Sequence, residues 1–407
     1  MTPHGVTPHG VTPPGVTPPG VTRLLALVGA TVIDGTGAPA RPDTTVVVRG
    51  DRIESLGPRA TTVLPEDAER RGVSGRWILP GLLDAHAHAE TPDDLRALLL
   101  WGVTAFRNPA ATPTPATRSS TGPPMHIVRA GLPIDHPPSS IPRPGVVEVT
   151  TADEARAAVR RQAADGAGLI KLYTRLPPDL VRAAVAEAHR CGLKALGDLA
   201  LTSWTDAARA GIDFLSHAMP RHPSLLPPER QDAYLRDLAE RRVDPLERWF
   251  DLVDLDGNEV REMIGALRDH AVCVDPTLVG VEAALGGRDA PGKRAVWPKV
   301  LGLVSRLREA GVVLVAGTDA PRPGIGAGES LHRELALLCE AGASEAEVLS
   351  IATAKNAAAL GLDGRLGTLA PGLRADLVVL GADPLARLSN LGAIEDVYLA
   401  GVAQTRP

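Results

Sequence analysis

The feature that most constrains this chain is an alternation. Eight short apolar runs fall near 78–85, 103–107, 126–131, 168–173, 193–198, 212–217, 271–275 and 312–317. Segments of Ala/Leu/Arg/Glu composition, at 92–101, 152–164, 178–191, 203–210, 258–269 and 298–310, lie between most of them. Short runs of this kind read as strands buried on both faces, and the longer segments as helices. Strands that alternate with helices build a parallel sheet. Eight of them predict an α/β fold with a (β/α)8 barrel of TIM type; a doubly wound sheet is the competing arrangement. A Pro-rich and then helical stretch, 221–250, reads as an insertion after the sixth strand.

Both ends differ from this centre. Leu24–Ile33, Thr45–Arg49 and Arg52–Leu56 are β-rich runs separated by turn signals such as Asp34-Gly35 and Gly50-Asp51. Ala375–Leu380 and Asp396–Gly401 are similar runs near the other end. The simplest organisation is a small β-sandwich domain built from residues 23–76 and 362–407, flanking a barrel over 77–361. Residues 2–22 repeat Val-Thr-Pro-His-Gly and then Val-Thr-Pro-Pro-Gly. Such Pro/Gly density has no apolar face to bury, so 1–22 is expected to be a disordered tail, with His4 and His9 incidental to it. The segment lacks the charged start and long apolar centre of a signal peptide.

Composition narrows the function classes. The net charge is −5, without a long basic block, so neither nucleic acid nor a membrane surface is an expected partner. No apolar run reaches the roughly 18 residues of a membrane helix. Cys191, Cys273 and Cys339 are odd in number and lack CxxC spacing, which suits a reducing, cytoplasmic setting. A small-molecule substrate and a homo-oligomer are both compatible with these facts.

The strand ends carry the chemistry. The run Trp77-Ile78-Leu79-Pro80-Gly81-Leu82-Leu83 leads into Asp84-Ala85-His86-Ala87-His88. Side chains at i and i+2 of a strand share a side, so His86 and His88 can aim two imidazoles at one point. Imidazole is a common ligand for zinc and its neighbours. Lys171, one of only five lysines, lies within the fourth strand. His217 ends the sixth, and Asp319 follows the eighth after a Gly-Thr turn. Each has a plain structural explanation alone: a core histidine, a surface lysine, a helix cap. Together they mark the end of a barrel where chemistry is found.

These motifs resemble the amidohydrolase superfamily, and more closely its imidazolonepropionase-like and prolidase-like members. The likeness runs over roughly 24–403. It rests on Pro80–His88, Ile170-Lys171-Leu172-Tyr173, Ser216-His217-Ala218, Gly317-Thr318-Asp319 and Gly364–Leu380. The resemblance implies that His86, His88 and Asp319 hold one divalent metal, with zinc the first expectation. It implies that Lys171, carbamylated by carbon dioxide, bridges to a second metal that His217 also binds. A lysine carbamate is an anion with two oxygens, whereas an ammonium cannot ligate a cation. The metal would lower the pKa of a bound water. Asp319 would take its proton and deliver it to the departing nitrogen. The implied activity is hydrolysis of a carbon–nitrogen bond in a small amide, lactam or dipeptide. A deaminase-like, decarboxylating or cyclising enzyme, or a pseudoenzyme on the same barrel, are the alternatives.

One position departs from that pattern. The fifth strand reads Leu193-Lys194-Ala195-Leu196-Gly197-Asp198, and Asp198 stands where the family carries a metal-binding histidine. A carboxylate can ligate zinc or manganese. Substrate selection falls to the loops, where Arg107, Arg129, Tyr173, Arg175, His222 and Arg322 are candidates. Tyr173 and Arg175, close behind Lys171, are the first choices for holding substrate; an arginine can grip a carboxylate with two hydrogen bonds.

Overall fold

The computed structural model describes residues 23–110, 124–240, 243–286 and 293–404. The Pro/Gly repeat lies outside the described residues. Eight parallel strands, most of them separated by helices among the described residues, are Leu82–Asp84, Val103–Asn108, His126–Arg129, Leu169–Leu172, Lys194–Gly197, Phe214–Ser216, Cys273–Asp275 and Val313–Leu314. The first three pair in order, and so do the last five. Two short strands, Ile134–Asp135 and Val147–Glu148, extend the second group beside Leu169–Leu172 and have no counterpart in the sequence reading. The anticipated insertion folds as helices Pro228–Ala239 and Pro245–Leu252.

The period of two sorts each strand's side chains between two environments. Leu169, Leu196, Phe214 and Val315 pack together with Ala85 and Ala130. Their neighbours Ile170, Ala195, Leu215 and Leu314 belong to the large cluster shared with the helices. Lys171 has the parity of Leu169, Asp275 that of Cys273, and Arg107 that of Ala105. The alternation therefore directs three charged side chains away from the helices. Helix starts are set locally. Thr91 and Asp94 form a reciprocal capping box ahead of Pro92–Leu100, and Thr151 and Glu154 do the same ahead of Ala152–Ala164.

The strands from the two ends hydrogen-bond into a single eight-stranded sheet. Its order is Val402–Ala403, Ile394–Leu399, Leu377–Leu380, Trp77–Pro80, Leu24–Val32, Arg41–Arg49 and Arg52–Pro58, with Glu69–Gly72 also alongside Leu24–Val32. The sheet is mixed, because Leu24–Val32 runs parallel to both Glu69–Gly72 and Trp77–Pro80.

Here the structure divides what reads as one strand over 78–85. Trp77–Pro80 pairs with Leu377–Leu380 in the terminal sheet, while Leu82–Asp84 pairs with Val103–Phe106. Gly81 is the crossing point. A Cβ there would lie 2.1 Å from Thr104 Oγ1, so any larger residue would push the chain away from the neighbouring strand Val103–Asn108. Apolar side chains are needed on both sides of the break, and hydrophobicity alone does not reveal it.

Candidate active site

Four of the sequence-marked side chains gather beyond the C-terminal ends of the parallel strands. His88 Nε2 lies 3.0 Å and His86 Nε2 3.6 Å from Asp319 Oδ1. His217 Nδ1 is 3.9 Å from Asp319 Oδ2. The His86 ring centroid is 5.5 Å from that of His88 and 5.2 Å from that of His217. Ligand atoms of His86, His217 and Asp319 all lie within 4.8 Å of one another, a group that could hold a metal ion.

Backbone geometry aims these groups. His217 (φ 67°), Thr277 (φ 43°) and Asp319 (φ 61°) all occupy the left-handed region. That region is costly for residues with a Cβ and clusters at functional sites. Asp84 ties the first and eighth strand ends together. Its carboxyl accepts from His86 N (2.9 Å), Thr318 N (3.2 Å) and Thr318 Oγ1 (2.7 Å). Burial pushes Asp84 up to about 7 against the pull of those bonds. Gly317 permits the close approach, since a Cβ there would sit 2.5 Å from His86 Cβ.

Asp275, at the end of the seventh strand, is the residue the sequence reading missed. It is fully buried, and its Oδ2 meets both His86 Nδ1 (2.8 Å) and Arg107 Nη2 (2.9 Å). That bond holds the His86 ring with Nε2 turned toward Asp319. Burial pushes Asp275 up to about 6, with Arg107 opposing. Arg107 stands among the substrate candidates of the sequence reading, and its position corrects this. It is wholly buried, paired with Asp275, and stacked 4.6 Å over the Phe214 ring. It cannot meet a ligand from solvent. A polar residue closing a strand, as Asp275 does, was the available signal.

Lys171 is buried, and among the described residues it forms neither a hydrogen bond nor an ion pair. Burial lowers its pKa, although Asp198 and Asp319 pull the other way. Asp198 Oδ2 lies 3.5 Å from His217 Nε2, so the departing residue faces the cluster. Burial holds His86 well below the ordinary histidine value, leaving a neutral imidazole with a free lone pair. Burial also acts to raise Asp319. The hydrogen bond from His88 and the nearby His217, His86 and Arg322 outweigh it and keep the carboxyl well below the usual range.

A cavity of about 670 Å³ opens onto this cluster, with Asp198, His217 and Asp319 in its wall. Tyr173, Arg175 and Arg322 line it as well. Arg322 also pairs with Asp319 Oδ2. The insertion contributes Tyr234, Leu238 and Pro245 to the far side. Arg129 and His222 do not line this cavity. Arg129 borders a separate hollow near Gln162, and the His222 ring bonds Ser224.

Parallel strands alternating with helices, a His-x-His pair closing the first and an aspartate beyond the eighth define a class. The profile of the Amidohydrolase family matches residues 77–403, and the chain belongs to that family. An uncharacterized protein of Mycobacterium bovis is 29% identical over 272 residues, 60% of this chain and 65% of that protein. The match thus spans just under two thirds of that relative's length. The imidazolonepropionase of Cereibacter sphaeroides is 29% identical over 390 residues, 88% of this chain and 93% of that protein. Among solved structures, a Bifidobacterium longum protein described as a candidate prolidase is similar, with a TM-score of 0.74, 25% identity and 95% of each chain covered.

Proposed function

We propose that this protein is a metal-dependent hydrolase that cleaves a carbon–nitrogen bond in a small amide, lactam or dipeptide. The observation that carries the reading is the approach of His86, His88, His217 and Asp319 at the wall of a cavity large enough for such a substrate. Family membership supports it, as do the imidazolonepropionase relative and the prolidase-like neighbour. The reading includes a closed barrel. Bridges between Ala130 and Leu169, and between Ala87 and Ala320, support closure at both gaps between the strand groups. It also includes a β-sandwich domain drawn from 23–76 and 362–407, to which the terminal sheet adds the strand Trp77–Pro80.

The donor set suits a divalent cation such as zinc. Imidazole nitrogen and carboxylate oxygen are its usual ligands, and bonds of about 2.0–2.2 Å put adjacent ligand atoms roughly 3–3.5 Å apart. The separations of 3.0 and 3.6 Å at Asp319 Oδ1 fall close to that range. His86, His88 and Asp319 would hold one cation. His217, Asp198 and a carbamylated Lys171 would hold a second. When bound, such a cation supplies Lewis acidity and makes water acidic enough to ionise near neutral pH. The rest falls to the chain. Asp319 is ionised and positioned to take a proton and pass it to the leaving nitrogen. The lowered pKa of Lys171 favours the neutral amine that carbon dioxide modifies. Tyr173 and Arg175 would orient the substrate, and the insertion keeps water from its far end.

The test combines metal content with turnover. Protein purified without chelator should carry one or two zinc-like ions per chain and hydrolyse members of an amide, lactam and dipeptide panel. Asp319→Asn should lower turnover about 10³-fold while leaving the fold intact. Asp198→His should change which metal is retained and keep part of the activity. Protein purified without chelator that carries no metal, and that turns over no amide, lactam or dipeptide even after loading with zinc or manganese, would sink the hydrolase reading. Unchanged metal content in Asp198→Ala would remove Asp198 from the ligand set.

A further inference from the structure

Glu334 is a fully buried carboxyl on helix Glu329–Glu340 with no place in the chemistry described above. Its two oxygens are both engaged. Oε1 accepts from Leu278 N at 2.9 Å and Oε2 from Val279 N at 2.8 Å. These are the first two N–H groups of helix Leu278–Ala284. Such groups have no partner within their own helix, and a Thr at the N-cap ordinarily takes one of them with its side chain. Thr277 occupies that N-cap and makes no such bond. Its hydroxyl is turned the other way, 2.7 Å from His217 Nδ1. The turn that allows this holds Thr277 at φ 43°, ψ 49°, unfavourable for a β-branched residue.

The two arrangements are linked. In the observed rotamer the Thr277 hydroxyl lies 2.7 Å from His217 Nδ1 and makes no bond to the helix N–H groups, so turning it to cap the helix would draw it away from the ring. If nothing else capped the helix, buried N–H groups would compete for it, since leaving them unpaired is costly. We propose that Glu334 is a positioning residue: it caps helix Leu278–Ala284 from a neighbouring helix and so releases Thr277 to fix the His217 ring. Held at Nδ1, the ring is left with Nε2 facing Asp198. The same helix also bears on the other side of the site. A Cβ at Gly280 would lie 3.4 Å from Asp319 Oδ2, so the helix start gauges both His217 and Asp319. The consequence for catalysis rests on the reading that His217 is a metal ligand; the hydrogen-bond relay itself does not.

Glu334→Gln discriminates well. The side chain keeps its size, but the amide nitrogen accepts no hydrogen bond, so one helix N–H is left without a partner. The expected result is read on His217 by 15N-resolved imidazole NMR of the full-length, metal-free protein. The wild type should show a single, fixed ring state at His217. Glu334→Gln should show tautomer exchange at that ring, and Thr277→Val should match it because it removes the hydroxyl directly. Thr277→Ser should resemble wild type. Arg333→Ala removes the 3.0 Å ion pair with Glu282 that joins the same two helices elsewhere, and it should leave His217 unchanged. Zinc affinity, measured by competition with a chromophoric chelator, should fall about tenfold in Glu334→Gln. A wild-type His217 spectrum in folded Glu334→Gln overturns the relay, as does the same disturbance in Arg333→Ala. If Glu334→Gln does not fold, Glu334→Asp, too short to reach both N–H groups, is judged by the same spectrum. An altered spectrum with unchanged zinc affinity would keep the relay but remove His217 from the metal ligands.

Discussion

The terminal sheet and the ends of the parallel strands are built on opposite terms. In the terminal sheet, Leu25, Leu27, Val46, Val48, Ile53, Ile78, Leu377 and Val379 form an apolar cluster. Its principal strands are long, up to nine residues, and their ladders run through several registered pairs. The parallel strands are two to six residues long. In their last residues or just past them lie Asp84, His86, Arg107, Lys171, Asp275 and Asp319, all buried. Of the six non-glycine residues at positive φ among the described residues, three stand at this site. The first region spends its residues on stability, whereas the second concentrates charge and strain at a point of function.

The contrast can be broken most severely at Arg107. Arg107→Met leaves Asp275 buried without its cation. Breaking a buried pair from one side costs about 3–5 kcal/mol, and urea unfolding should record a loss of that order. A loss below about 1 kcal/mol would mean that the buried charges at the strand ends are not interdependent. The variant should also loosen His86, which shares Asp275 Oδ2 with Arg107.

A second test lies between the two regions. The His332 ring packs 5.1 Å from Trp101 and its Nε2 bonds the Trp101 carbonyl at 3.0 Å. Burial pushes its pKa down to about 4, against the pull of that carbonyl. The unfolded histidine takes up its proton near 6.5. Between these values the unfolded chain binds more protons, so stability falls as the pH drops from about 6.5 to about 4. The loss attributable to this ring is at most ~3 kcal/mol. Thermal unfolding of His332→Gln across that window should show a shallower acid decline than wild type. Parallel curves would assign the decline to other groups.

The smallest effect is expected in the terminal sheet. Ile53→Val removes one methylene from a well-packed apolar cluster and should cost about 0.5–1.5 kcal/mol. Metal content and turnover should not change. A change in either would show that packing in this sheet reaches the site.

The same contrast explains what could be read from the chain. Strand ends such as His86-x-His88, His217 and Gly317-Thr318-Asp319 stand out because each follows an apolar run. Asp198 was legible for the same reason, and the structure places it beside His217. Glu334 was not. It lies in an amphipathic helix, where a glutamate looks like any solvated residue, and its partners are more than fifty positions away. Arg107 was misplaced because a sequence gives the strand end but not what covers it. Asp275 closes an apolar run as the others do, but its link to His86 and Arg107, which come from two other strands, appears only in the completed arrangement. Pairwise contacts between distant strands have no local signature, whereas periodicity and capping do.

The crossing at Gly81 has a consequence for the order of events during synthesis. Trp77–Pro80 receives one neighbour, Leu24–Val32, almost at once. Its other neighbour, Leu377–Leu380, emerges from the ribosome roughly 300 residues later. Until then one edge of the strand that leads directly into the histidine pair stays open, with hydrogen-bonding groups free to recruit another chain. A nascent or prematurely ended chain therefore presents an adhesive edge beside an unfinished site, and shielding of that edge during translation becomes a requirement for yield.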